Sequence, residues 1–295
     1  LLEALARAFG EVSAGRTSVP PRVAARTPAG LLGVMPGFLP GAGLESKLVS
    51  VFPGNHDHGL PSHLALIALF DEATGRPLAL MDGTHITAVR TAGAAALSAR
   101  LLARPDARVL AILGAGVQGH RHLEAMGRVG HFHEIRVASR NRDHAEALAS
   151  TVSRARAMTD FEQAVRGADV VCCCTDAASP VIAYEWLRPG AHVTSVGANV
   201  SGPELDAETV RRGRLFVESR TAFSPPPAGS AELAGLDPAS ATELGELVSG
   251  AAAGRSSDDE VTVYKSMGHA AEDAAAARLV YDRALAEGAG RLVPI

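Results

Sequence analysis

The sequence lacks the features of secreted, metal-binding and membrane-spanning proteins. Its three cysteines, Cys172 to Cys174, are adjacent, so they fit neither a disulfide framework nor the paired spacing of a zinc site. The longest apolar run, at residues 64–70, is too short to cross a bilayer, and no signal peptide is visible from Leu1 onward. We therefore expect a cytoplasmic protein with no bound metal and no membrane contact.

Concentrated positive charge is also absent. The formal net charge is −4, the isoelectric point is about 6.3, and no run of lysine and arginine occurs. These properties argue against a nucleic-acid partner. The 295 residues, of which 47% are hydrophobic, are enough for a large core and two domains.

A glycine-rich segment is the most informative part of the chain. Residues 109–113 form a short apolar run, and the pattern becomes helical after Gly114, Gly116 and Gly119. In a strand–turn–helix that binds a dinucleotide, Gly114 permits the tight turn, Gly116 lets the backbone approach the pyrophosphate and Gly119 lets the helix pack closely. The helix N-terminus offers N–H groups and partial positive charge to the anion. We therefore predict a nicotinamide or flavin cofactor, with Val117 and Gln118 also in contact with it.

Strands and helices alternate after this segment, which predicts an α/β fold with a Rossmann-type, doubly wound parallel sheet. The predicted strands are residues 108–113, 134–139, 169–174, 192–196, 214–218 and 261–265. The N-terminal third has a different pattern of predicted elements. A helix at residues 1–11 is followed by four short strands at residues 30–35, 46–52, 64–70 and 78–81, and then by a helix at residues 87–103. Residues 221–240 read as a surface excursion. Residues 270–287 read as a helix in which Ala274, Ala277, Leu279 and Val280 are available for packing.

The residues after the second Rossmann strand distinguish the two nicotinamide dinucleotides. NAD sites place an acidic residue there, which accepts hydrogen bonds from the ribose hydroxyls. This chain has Ser139, Arg140, Asn141 and Arg142 instead, and an arginine pairs well with a 2′-phosphate. The pattern favours NADP(H) over NAD(H). The competing interpretation is that both arginines belong to the solvated start of a helix.

Several motifs resemble those of the ornithine cyclodeaminase/mu-crystallin family. The specific ones are a lysine followed by Phe-Pro-Gly-Asn and a Thr-Ala-Val-Arg-Thr-Ala stretch. The matching segments are residues 47–55, 75–83, 86–93, 114–119, 168–171, 188–193, 203–206 and 264–268. The resemblance implies a discontinuous α+β domain for substrate binding and dimerisation, residues 1–93 and 269–295, around a Rossmann domain, residues 94–268. It also implies a homodimer, with a substrate cleft between the domains.

The resemblance further implies hydride transfer at the α-carbon of an amino or imino acid. Arg90 and Arg22 would bind the substrate carboxylate, since a guanidinium matches a carboxylate bidentately. Lys47 would contact the substrate and assist proton transfer. In the family's cyclodeaminases an aspartate follows the strand after the Pro-Gly-x-His-Val stretch and acts as the base. Here that position is Asn199, which orients a nitrogen or water but does not take a proton.

Other polar residues receive weaker interpretations. Thr175 follows a Rossmann strand at its carboxyl end, so a cofactor contact is expected there. By resemblance, Ser266 and Gly268 line the nicotinamide pocket. The histidines read as surface residues without a metal: His56, His58, His120, His122, His131 and His133.

These observations leave several functions open. Arg140 and Asn199 favour an NADPH-linked reductase of a small imino acid, of the ketimine or pyrroline-2-carboxylate type. The alternatives are an ornithine or lysine cyclodeaminase that recycles NAD, an amino-acid dehydrogenase or synthase, and a cofactor-retaining binding protein of the crystallin branch. The sequence does not identify the substrate side chain.

Overall fold

The computed structural model describes residues 1–197, 202–226 and 228–293. Contacts within the chain define two compact units. The first, called the antiparallel unit below, consists of residues 3–90 and 269–293. The second, called the parallel unit, consists of Thr91–Gly268.

The antiparallel unit is built on one sheet whose strands follow chain order. Its strands are β1 (Val23–Arg26), β2 (Leu31–Leu39), β3 (Gly43–Val51), β4 (His63–Phe70) and β5 (Pro77–Asp82). Its helices are α1 (Leu2–Ser13), the start of α2 (Gly83–Leu102) and α8 (Ala270–Glu287), and a 3₁₀ helix spans Pro53–His58. Pairing of neighbouring strands is antiparallel throughout.

Alternation along the strands separates two faces of this sheet. On the inner face Lys47 is in register with Met35 and Ile67, whereas its neighbour Leu48 lies on the outer face opposite Leu66. The first half of α8 packs on the inner face of the sheet. It is rich in alanine, and these small side chains let the helix approach the strands closely. The packed residues include Leu39, Ile67 and Leu69 from the strands, Ala42 from the turn between β2 and β3, and Ala271, Ala274, Ala275, Ala276 and Ala277 from the helix.

The approach is close at Gly37, where a Cβ atom would lie 2.8 Å from the Cβ of Ala270. The second half of α8 is more exposed than the sequence predicted. Leu279 and Val280 have exposed fractions of 42% and 44%, so the prediction that they pack is wrong within the described chain.

The parallel unit contains the predicted doubly wound sheet, in the order β12-β11-β13-β10-β9-β6-β7-β8. The first strands are β6 (Val109–Leu113), β7 (Glu134–Ala138), β8 (Ala155–Ala157), β9 (Val170–Cys173) and β10 (His192–Ser195). The others are β11 (Arg214–Val217), β12 (Ala241–Glu243) and β13 (Thr262–Lys265). The helices are α3 (Val117–Met126), α4 (Arg142–Ser150), α5 (Phe161–Val165), α6 (Ala207–Arg212) and α7 (Leu244–Val248). Short 3₁₀ helices span Tyr184–Trp186, Arg220–Phe223 and Pro238–Ser240.

The strand order indicates where a ligand of this sheet would bind. The chain runs outward from β6 to β8 and then returns to β9 on the other side of β6. Ligands of open α/β sheets bind outside the carboxyl ends of the strands at such a reversal. The strands that flank the reversal, β6 and β9, end at Leu113 and Cys173, and Cys174 N donates a hydrogen bond to Leu113 O at 2.8 Å.

Two local predictions in this unit are wrong. Residues 221–240 are not simply a surface excursion, because Phe223 and Leu233 are buried in the main core. His122 is not a surface residue but is fully buried, and its Nδ1 donates to Gln118 O at 2.8 Å. Burial lowers the pKa of His122 to about 4, so this imidazole is neutral.

Two further observations apply only to the described residues. No helix among them combines the length and the apolar character that a membrane span requires. No group of three or more His, Cys, Asp or Glu side chains among them is arranged to hold a metal ion.

Candidate active site

The glycine-rich turn of the parallel unit has the geometry of a phosphate cradle. Gly114 has φ +102°, which only glycine adopts without strain, and a Cβ there would lie 2.5 Å from Cys174 O. A Cβ at Gly119 would overlap Gly114 O, so α3 packs directly against the turn. At Gly116 the Cβ direction is open, and Val117 next to it is exposed.

The N-terminus of α3 is open as well. Gly116 is its N-cap, and no side chain among the described residues caps the helix. The first N–H groups and the positive end of the helix dipole therefore point towards solvent beside the turn. A depression of about 570 Å³ in the parallel unit adjoins this end, lined by Ala115, Gly116, Val117, His120, Arg121, His144 and Ala147.

The four residues predicted to select the dinucleotide differ in their surroundings. Arg140 is exposed and has no side-chain partner among the described residues, and Ser139 is half-buried. Asn141 caps α4 by accepting a hydrogen bond from His144 N at 3.2 Å. Arg142 pairs with Glu146 at 2.7 Å one helical turn later. Arg140 is therefore the arginine with an available guanidinium.

The antiparallel unit contains a buried group of charges, called the Lys47 cluster: Lys47, Arg90, Glu272 and Asp273. Lys47 Nζ donates to Asp273 Oδ2 at 2.6 Å. Arg90 Nε donates to Asp273 Oδ1 at 2.8 Å, and Arg90 Nη1 donates to Glu272 Oε2 at 3.1 Å. Three elements meet here: β3 supplies the lysine, α2 the arginine and the first turn of α8 the carboxylates.

Burial and charge shift the pKa values of this cluster. Burial lowers the pKa of Lys47 below its ordinary value, and the attraction of Asp273 offsets this only in part. Burial alone would raise the pKa of Asp273, but Arg90 and Lys47 outweigh it, so the pKa is lowered and the carboxylate is ionised. His269, the N-cap of α8, has a pKa of about 4 because it is buried and faces the positive charges of Arg22 and Arg90.

Lys47 retains unused donor capacity. An ammonium group has three N–H donors. The hydrogen bond to Asp273 uses one, and Lys47 makes no other side-chain hydrogen bond to the described residues. The lysine is therefore held in place by one carboxylate while two donors are available to a ligand. Arg22, the other predicted carboxylate ligand, is half-buried before β1.

A second polar group lies at the carboxyl ends of β9, β10 and β13 and is called the Lys265 cluster: Thr175, Ser195, Glu204, Glu232 and Lys265. Thr175 donates to Glu204 Oε1 through both its amide and its hydroxyl, each at 2.7 Å. Ser195 Oγ donates to Glu204 Oε2 at 2.7 Å. Thr175 is the residue that was predicted to contact the cofactor, and its hydroxyl already donates its proton to the carboxylate of Glu204.

Lys265 is the buried lysine of this second cluster. Its Nζ donates to Ser195 Oγ at 3.1 Å, to Gly197 O at 2.6 Å and to Glu232 Oε1 at 3.1 Å. All three donors are used. The two residues predicted beside the nicotinamide follow directly: Ser266 is buried, and Gly268 has φ +74°.

One predicted residue, Asn199, lies outside the described residues. Gly197, two residues earlier in the chain, is described and donates its amide to Glu204 Oε2 at 2.8 Å. Sequence reasoning missed four acidic residues of the two clusters, namely Glu204, Glu232, Glu272 and Asp273. Two signals were available in the sequence: the matching segment 203–206, which contains Glu204, and the pair Glu272–Asp273 at the start of an alanine-rich helix.

The profile of the ornithine cyclodeaminase/mu-crystallin family matches residues 1–288. The chain belongs to this family. The resemblance inferred from the motifs is thereby confirmed, as is the α/β fold class with its parallel sheet and separate antiparallel sheet.

Three similar proteins show the extent of the similarity in sequence and in structure. Ketimine reductase mu-crystallin of Mus musculus is 43% identical over 256 residues, which are 86% of this chain and 80% of the relative. The structure of Thermococcus litoralis Δ1-pyrroline-2-carboxylate reductase with NADH and L-proline is 36% identical, with a TM-score of 0.91 over 99% of this chain and 94% of that one. An archaeal alanine dehydrogenase dimer with bound NAD is 32% identical, with a TM-score of 0.88 over 100% and 93%.

Proposed function

We propose that this chain is an NAD(P)H-dependent reductase of a small imino acid, of the ketimine or pyrroline-2-carboxylate type. The observation that carries the proposal is the hydrogen bonding of Lys47. Its side chain is buried and held by Asp273, and two of its three N–H donors have no acceptor among the described residues. A lysine without a ligand to bind would be expected to fill its donors with protein acceptors, as Lys265 does. Relatives with reductase activity towards imines support the same function.

The Lys47 cluster suits an α-imino acid. Arg90 and Arg22 would bind the carboxylate, and the bonds from Arg90 to Glu272 and Asp273 hold the plane of its guanidinium. Lys47 Nζ would contact the imine nitrogen and supply its proton, which the lowered pKa of Lys47 favours. In the reduction a hydride adds to the α-carbon, the C=N π electrons become the nitrogen lone pair, and that lone pair takes the proton.

The parallel unit would hold the cofactor, which supplies the hydride when bound. The open Cβ direction at Gly116 and the uncapped start of α3 fit a pyrophosphate. We propose NADP(H) as the preferred form, since Arg140 is exposed and available to a 2′-phosphate. NAD(H) is the alternative, because the Thermococcus and archaeal relatives were solved with NADH and NAD.

Asn199 favours reduction over cyclodeamination, because an amide does not accept the proton of an ammonium group. The test is steady-state oxidation of NADPH and of NADH with pyrroline-2-carboxylate and piperideine-2-carboxylate. We expect turnover with at least one imino acid. The absence of turnover above background with every imino acid and both cofactors would reject the proposal. Release of ammonia and proline from ornithine without net cofactor reduction would identify a cyclodeaminase instead.

We also propose that the chain forms a homodimer through the outer face of its antiparallel sheet. This face exposes apolar side chains that are neighbours in register, and such patches mark interfaces. They include Val23, Leu32, Leu48, Leu64, Leu66 and Leu80. The archaeal alanine dehydrogenase relative is a dimer.

Sedimentation analysis tests this second proposal at micromolar concentration. The wild type should sediment as a dimer, whereas the double variant Leu48→Lys/Leu66→Lys should sediment as a monomer with an unchanged circular-dichroism spectrum. A monomeric wild type, or a dimeric double variant, would contradict the assignment of this face.

A further inference from the structure

Glu45 is a buried carboxyl group that the proposed chemistry does not use. It lies on β3 two residues before Lys47, so both side chains point to the inner face of the sheet. Its exposed fraction is 2%. Neither Oε1 nor Oε2 has a hydrogen-bond partner among the described residues.

Elements on every side of Glu45 determine which charges it meets. Its partners in register, Gly37 on β2 and Leu69 on β4, carry no charge. The charged groups that act on it are Asp273 on α8, Lys47 on its own strand and Arg90 on α2. The other titratable groups at the start of α8 are Glu272 in its first turn and His269 at its N-cap.

An ionised carboxylate in this position would be buried without a hydrogen bond, which is energetically costly. Lys47 and Arg90 compensate this cost only in part, because both are already bound to Asp273. Burial, with repulsion from Asp273 as the second cause, raises the pKa of Glu45 to about 9. Glu45 is therefore a neutral carboxylic acid at neutral pH.

We propose that Glu45 carries a proton for the Lys47 cluster, and that loss of this proton closes the cluster to substrate carboxylates. The inference rests on the proposed function. Glu45 acts here as a positioning residue: it contacts no reacting atom but determines the charge that a substrate meets.

Charge balance explains the effect. With Glu45 neutral, the charges of Lys47 and Arg90 balance those of Glu272 and Asp273. An anionic substrate then meets a cluster without excess negative charge, next to the cation of Arg22. With Glu45 ionised, the cluster gains one negative charge in a low-dielectric environment, where repulsion of a carboxylate is strong. Substrate affinity should fall while the chemical step is unchanged.

The kinetic test compares wild type with Glu45→Gln, an isosteric side chain that stays neutral. In the wild type the KM for the imino acid should rise about tenfold per pH unit above pH ~9, while kcat changes less. In Glu45→Gln the midpoint of this rise should move up by at least about one pH unit. Coincident KM profiles for the two proteins would overturn the inference.

Two further variants serve as controls. Glu45→Asp keeps a carboxyl group and should keep the alkaline rise in KM. Glu185→Gln alters an exposed carboxyl of the parallel unit and should leave the profile unchanged. A rise in KM that persists in Glu45→Gln but disappears in Glu185→Gln would contradict the assignment.

A measurement without substrate separates this inference from the proposed function. The side-chain carboxyl carbons of glutamate are labelled with ¹³C, and the Glu45 resonance is assigned by its absence in Glu45→Gln and in Glu45→Asp. In the ligand-free wild type this resonance should titrate near the pKa of about 9. A midpoint near the ordinary value of about 4.3 would overturn the inference whether or not the protein reduces imines. Failure of every imino acid to turn over, with the resonance titrating near 9, would reject the proposed function alone.

Discussion

The two units each contain a buried lysine on a strand, and the two lysines differ in how their donors are used. Lys265 in the parallel unit donates to a serine hydroxyl, a backbone carbonyl and Glu232. Lys47 in the antiparallel unit donates to Asp273 and to no other described residue. A buried lysine whose three N–H donors all bond to protein acceptors stabilises the fold. A buried lysine with two N–H donors unused is suited to bind a ligand.

The difference indicates a division of work between the units. The Lys265 cluster ties the carboxyl ends of three parallel strands together, and we propose that it supports the cofactor edge. The Lys47 cluster has two donors on Lys47 unfilled and holds a neutral carboxylic acid beside them, so we propose that it binds the substrate. Four variants test this contrast, and removal of the Lys47 side chain should have the greatest effect.

Lys47→Ala should lower kcat about 1,000-fold, since general acid catalysis contributes 10²–10⁴-fold. The dissociation constant of NADPH, measured by fluorescence titration, should stay within about threefold, because the dinucleotide is assigned to the other unit. A parallel loss of NADPH binding would count against the substrate role of Lys47.

Lys265→Met should mainly affect stability. Its loss leaves Glu232 buried without a cation, which lowers the free energy of unfolding by about 3 kcal/mol in denaturant titrations. The double variant Lys265→Met/Glu232→Gln should recover about 1 kcal/mol of this loss, since the uncompensated charge is then removed. If Lys265→Met instead has wild-type stability and no turnover, the lysine is catalytic and the contrast is wrong.

Arg140→Asp should change cofactor choice without changing substrate affinity. A charge-assisted bond is worth about 1.5–3 kcal/mol, so the ratio of kcat/KM for NADPH to that for NADH should fall about 100-fold. Arg142→Asp is the matched control, because Arg142 already pairs with Glu146, and its ratio should change less than about threefold. Equal effects of the two substitutions would reject the 2′-phosphate assignment.

Glu45→Gln should change how stability depends on pH. Between the unfolded pKa of about 4.3 and the folded pKa of about 9, the folded state holds a proton that the unfolded state releases. The stability of the wild type therefore falls as pH rises through this window, and the glutamine variant lacks this contribution. Calorimetry at pH 5 and pH 9 should show that the wild type loses about 10 °C more in Tm than the variant. Equal losses would mean that Glu45 is ionised in the folded protein.

The sequence predicted the features that depend on neighbouring residues. The strand–turn–helix at Gly114 to Gly119 has a local signature, because Gly119 is required by its contact with Gly114 in the same turn, although Gly114 also lies against Cys174 after β9. The doubly wound sheet followed from the alternation of strands and helices. Arg90 and Lys47 were found by resemblance, since they lie inside specific motifs.

Features that depend on distant residues were missed. Asp273 is 226 residues from Lys47 along the chain, so no spacing rule connects them. Glu272 and Asp273 look like acidic residues in the first turn of a solvated helix, and only the packing of α8 shows that they are buried. Glu232 lies in a segment rich in small residues, and this composition predicted a surface loop. Phe223 and Leu233 instead anchor the segment in the core, which the composition did not show.

The close approach of Gly37 to Ala270 has a consequence for engineering this site. Neither residue has any chemistry of its own, yet their contact leaves no room for a larger side chain at residue 37 between the sheet and the start of α8. A methyl group added at residue 37 would act as a wedge, since its carbon would lie 2.8 Å from Ala270 Cβ and 3.2 Å from Glu45 Oε1. The electrostatics of the site are therefore adjustable by steric means, and a library at residues 37 and 270 would vary the protonation of Glu45 and Lys47 without replacing either.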